Sequence, residues 1–208
     1  MKLWTPSREL HLPTPDMIGF FLEVGAWDKA GKLYHQERLR SRSPVRQLLS
    51  IILAGIGEAN VASVTDTAGA SKTIDYDGTA HLNALGPINT SARGIVIGTD
   101  ATAVDMTDTK LVAQIAHGTG SGQMIHNLQV CASAITVADP DATFETYRNF
   151  NNNSGATITV RETGIYVNNS VTGTPATGYF CIVRDVPTAV AVPDGGGCYV
   201  LYTLKITE

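Results

Sequence analysis

From Gly94 to the end of the chain, short runs of Val, Ile, Thr and Tyr are interrupted by Gly, Pro, Asn and Asp about every eight to twelve residues. This rhythm constrains the fold more than any other feature, because such runs are too short for helices and suit strands joined by turns. It predicts strands over 94–98, 110–116, 122–130, 132–138, 143–150, 156–167, 179–185, 189–192 and 198–207. That number of strands implies a mainly β protein, an antiparallel β-sandwich of jelly-roll-like type. The last run alternates cleanly: Cys198, Val200, Tyr202, Leu204 and Ile206 point one way, and Tyr199, Leu201, Thr203, Lys205 and Thr207 the other.

The N-terminal part reads differently. Segments 18–24 and 32–36, separated by the turn-like Asp28 to Gly31, predict a hairpin or extended arm. Ser43 and Pro44 then supply an N-cap and a first-turn proline for one short amphipathic helix. Its apolar stripe is Val45, Leu48, Leu49, Ile52, Leu53 and Ile56, with Arg46, Gln47, Ser50 and Glu58 off that face and Gly57 at the left-handed C-terminal position. The stripe must be buried, either on the chain's own sheet or on another subunit. Residues 61–92 show little periodicity and predict loops with one or two weak strands. Three parts follow: 1–58, an arm and helix forming an assembly element; 59–92, a loop-rich linker; and 93–208, the sandwich.

With 208 residues there is ample chain for one core. Residues 1–46 hold more Lys and Arg than Asp and Glu, whereas the remainder is acidic and the net charge is -4. That balance argues against nucleic acid as the principal partner, since phosphate binding needs clustered cations and only Arg38, Arg40, Arg42 and Arg46 are close together. The longest apolar stretch, 48–56, is far too short to span a bilayer, and the N-terminus does not read as a secretory signal. Cys131, Cys181 and Cys198 are widely spaced and read as buried reduced thiols, and the sequons at Asn89, Asn152 and Asn168 read as turns.

Catalytic patterns fail on context. The GTGSG stretch over 118–122 lacks the Lys-Ser/Thr of a phosphate loop, and Ser121 lacks the glycine spacing of a nucleophile elbow. His117 and His126 lie nine residues apart, without metal-ligand spacing. Asp100, Asp105 and Asp108 suit turn capping more than calcium, and Glu145 and Glu162 read as solvent-facing strand residues. Neither an enzyme nor a cofactor or metal site is expected.

The segment 144–167 reads as a hairpin turning at Asn151 to Gly155. It contains Arg148, Phe150, Asn152, Asn153, Ser154 and Gly155, then Glu162, Gly164, Ile165 and Tyr166. Flanking it are GIVIGTDATAV from Gly94, IAHGTGSGQM from Ile115, YFCIVRDV from Tyr179, and VPDGGGCYVLYTLKI ending at Ile206. Across 93–206 this pattern resembles structural proteins of tailed-bacteriophage particles, of tail, fibre, collar or capsid-decoration type. The resemblance implies a non-enzymatic virion component, folded in a host bacterial cytoplasm, that assembles with itself and with other virion proteins. A homo-oligomer, plausibly a trimer, is expected, with Val45, Leu48, Leu49, Ile52, Leu53, Ile56, Tyr199 and Leu201 as assembly contacts. The alternative is a carbohydrate- or receptor-binding module of a phage tail or fibre.

Overall fold

The computed structural model describes residues 18–41, 43–78, 80–173 and 176–207. The expectations that rest on Arg42 and on the first seventeen residues lie outside them. The fold is mainly β and antiparallel, as expected.

One sheet is built on β1 (Ile18–Trp27), β2 (Leu33–Ser41), β9 (Asp141–Asn151) and β14 (Gly197–Thr207), in the order β2-β1-β14-β9. Three short strands share the free edge of β9: β6 (Ile125–His126), β7 (Val130–Cys131) and β8 (Thr136–Ala138). The second sheet is β12 (Thr177–Asp185), β11 (Glu162–Ser170) and β5 (Gly94–Gly98), in that order. Two small pairs complete the fold: β3 (Val61–Thr65) with β4 (Ser71–Ile74), and β10 (Ile158–Val160) with β13 (Val190–Val192). Leu22, Val24, Phe150, Val200 and Tyr202 of the first sheet bury against Ile95, Ile97, Val167, Phe180 and Val183 of the second. The alternation predicted for the last strand is borne out at Cys198, Val200 and Tyr202, all buried.

Topology corrects several local expectations. Segment 110–116 forms no strand; it runs beside β5 through a Gly98–Gln114 bridge and an Ile115 N–H to Ile97 carbonyl bond of 2.8 Å. Segment 144–167 is not a hairpin, because β9 pairs with β14 while β10 pairs with β13. The turn between them is pinned by the buried Asn152. Its Nδ2 donates to the carbonyls of Ala156 and Val192, both at 2.8 Å, and its Oδ1 accepts from Ser154. Asn168 lies within β11 rather than in a turn.

The three-part division is also replaced. β1 pairs with β14 from Ile18↔Ile206 to Trp27↔Gly197, which makes the N-terminal hairpin integral to the sandwich. The supposed linker carries the β3–β4 hairpin, buries Val64 and Ile74, and bridges to β11 at Asn83–Asn168.

The helix α1 (Arg46–Gly57) begins after Val45, which has extended backbone and provides no side-chain cap; Pro44 instead bridges to Val183. Glu58, with φ of 48°, takes the left-handed position expected of Gly57. Among the described residues no helix is long and apolar enough to cross a membrane.

Candidate assembly surface

The helix buries Gln47, Ile51 and Ala54, spaced i, i+4 and i+7 on one face. The predicted stripe points the other way: Leu49, Leu53 and Ile56 are 69%, 60% and 81% exposed. Leu48 is half-buried against the core, and Ile52 lies at the boundary. Val45 belongs to a small buried cluster with Val96, Leu111, Tyr166 and Cys181. The Ile51–Ala54 face packs against β12 and β3, and the larger apolar surface remains outside.

Tyr199 and Leu201 are half-buried. The Tyr199 ring covers Gly25, where an added Cβ would come within 2.2 Å of it, and its hydroxyl donates to Glu23 at 2.6 Å. That bond, with a second from Gln36, holds the Glu23 carboxyl below its usual range. Desolvation and the Glu23 partner push the Tyr199 phenol up to about 12. Tyr199 is thus committed to its own sheet.

Beside the helix an apolar cleft of about 530 Å³ opens between the sheets. Phe20, Phe144 and Leu204 border it on the large sheet, Leu48 and Ile52 on α1, and Leu82 and Leu85 on the loop after β4. The polar side chains at its border are bonded within the chain. Gln129 Oε1 accepts the Gly86 and Ile95 amides while its Nε2 donates to Thr146, Asn83 accepts the Leu85 amide, and Tyr202 donates to Asp185. Such a cleft offers burial to an apolar occupant and little orientation to a polar one.

Two buried arginines hold the surrounding loops, and periodicity reasoning missed both roles. Arg184 is fully buried; its Nε donates to Glu162 at 3.0 Å, and its Nη1 to Asp108 at 2.9 Å. Glu162 is buried too and accepts the amides of Val112 and Ala113, which corrects its reading as solvent-facing. Arg148 donates only to main-chain carbonyls, those of Asn127, Arg93, Ile95, Pro87 and Thr90. Gly86 gives it room, since an added Cβ would lie 2.7 Å from Nη1.

The remaining candidates are structural in their contacts. Asp100 and Asp105 accept turn amides two residues on, at 2.6 and 2.8 Å. Glu145 and Ser121 are exposed. His117 Nδ1 accepts the amide of His126, and the His126 ring is buried edge-on against Phe150. Among the described residues no group of three or more His, Cys, Asp or Glu is placed to hold a metal ion. Cys181 and Cys198 are buried and Cys131 is exposed, which corrects the expectation for that thiol.

Comparison with protein-family models, with curated proteins and with solved structures found no match to this chain.

Proposed function

We propose that this chain is a non-enzymatic structural component of a tailed-bacteriophage particle, assembling with itself and with other virion proteins. The observation that carries this reading is the outward apolar face of α1. Three large aliphatic side chains mostly in water are an unusual surface for a solitary chain, and burying each fully would contribute about 1.5 to 3 kcal/mol to association. The adjoining cleft is apolar on three sides and extends that surface. The resemblance over 93–206 supports the virion reading, and a homo-oligomer is its expected form.

The test is mass spectrometry of purified particles together with sedimentation of the isolated protein. Recovery of the chain in stoichiometric amounts, and an oligomer in solution, are expected. Absence from purified particles would overturn the virion assignment. Reproducible binding to one glycan class on an array would favour the receptor-binding alternative instead.

A further inference from the structure

The large sheet extends beyond the small one, and the extension is apolar. Along its inner face the cross-strand row Leu22–Tyr202–Thr146 is buried, and the next row, Phe20–Leu204–Phe144, is only half-buried. The row after that, Ile206–Ala142–Val137, lies open, with Ile206 53% and Val137 76% exposed. Register places all of these on one face, because directly paired residues of a sheet share a side. The charged pair at these strand ends, Lys205 and Asp141 at 2.7 Å, lies on the opposite face. Nothing on the open inner face calls for a charged partner.

We infer that this overhang receives the outward face of α1 from a second copy of the chain, an interface that rests on the self-assembly reading and specifies its surface. The chain carries both complements. Its own Leu49, Leu53 and Ile56 do not line the cleft that Leu48 and Ile52 border, and in the single chain they stay mostly in water.

The area is sufficient. In a two-fold contact, where each copy gives both its stripe and its overhang, the open parts of the stripe, Leu82, Leu85, Val137 and Ile206 come to roughly 450 Å² per copy at about 100 Å² per fully exposed aliphatic side chain. One partner of a standard interface contributes about 800 Å², of which roughly 450 Å² is apolar. The free edge is equally unguarded: residues 130–138 are exposed and carry no charged side chain, whereas exposed edge strands are normally blunted with charge.

Two double variants at exposed positions test the inference, Val137→Glu with Ile206→Glu on the overhang and Leu53→Glu with Ile56→Glu on the helix. Each should keep the wild-type circular dichroism and cooperative unfolding yet weaken self-association by about 100-fold or more in sedimentation, because each buries carboxylates without partners. Cys131, at the cleft border, supplies an independent readout, since the other two thiols are buried. Its maleimide labelling should be at least about 10-fold faster in the dissociated variants than in the wild-type assembly, as expected of a thiol uncovered by dissociation. A wild-type oligomer that both overhang substitutions leave intact, with Cys131 equally reactive throughout, would overturn this interface while sparing self-assembly. A wild type that is monomeric at every concentration would overturn both.

Discussion

At the scale of single residues, the buried polar groups set the conditions under which the fold survives. Desolvation, with Arg148 and His117 nearby, lowers the His126 pKa from 6.5 to about 4. The unfolded chain therefore binds more protons between these values, so stability present above pH 6.5 is lost as pH falls toward 4, by about 3 kcal/mol at the limit. His126→Phe keeps an aromatic ring beside Phe150 and removes this titration. Urea midpoints at pH 7.5 and 4.5 should therefore differ less in the variant than in wild type. The comparison must be made between proteins, because burial raises the Asp185 carboxyl, which strengthens the fold as pH falls. Arg148→Lys should cost about 3 kcal/mol or more in equilibrium unfolding. A lysine has three donors in place of a planar fork that satisfies five carbonyls, and each buried carbonyl left unpaired costs about 1 to 3 kcal/mol.

At the scale of elements, β1 is the strand on which most depends. It lies between β2 and β14, and it contributes the fully buried Leu22, Val24 and Ala26 to the core. Deleting residues 1–58 should therefore abolish cooperative unfolding rather than leave a stable body, because it strips the hydrogen-bond partner from one edge of β14 along its length and removes those core side chains. Denaturant unfolding followed by near-ultraviolet circular dichroism checks this, and a sharp native-like transition would contradict it. Glu162 acts across elements in the same way, joining β11 to Arg184 of β12 and to the 112–113 backbone. Glu162→Ala should cost about 3 to 5 kcal/mol by leaving a buried guanidinium with Asp108 as its remaining carboxylate. In a double-mutant cycle with Arg184→Ala, the two costs should be far from additive.

For the whole molecule, a sandwich whose sheets differ in extent leaves one end open, and α1 turns its broad apolar face outward beside that end. If assembly closes this end, folding and association are linked by mass action. The melting temperature of wild type should then rise with protein concentration, whereas that of the Val137→Glu, Ile206→Glu variant should stay constant. Calorimetry over a hundred-fold concentration range measures the difference.

What the sequence by itself determined were the properties that depend on neighbours in the chain: the β class, β5 at its predicted bounds of 94–98, the inward side of β14, and the presence of a short helix. Alternation and turn residues act over a few positions, so they can be read without knowing partners. Only the tertiary structure decided that Ile18 pairs with Ile206, that the turn at Asn152 joins different sheets, and that Glu162 is buried against Arg184. Each depends on segments far apart in sequence. The helix shows the boundary between the two kinds of information: its period was legible, but its buried side was chosen by the space beside β12 and β3. Ile51 and Ala54 pack there against strands distant in sequence, while the wider stripe stays largely in water.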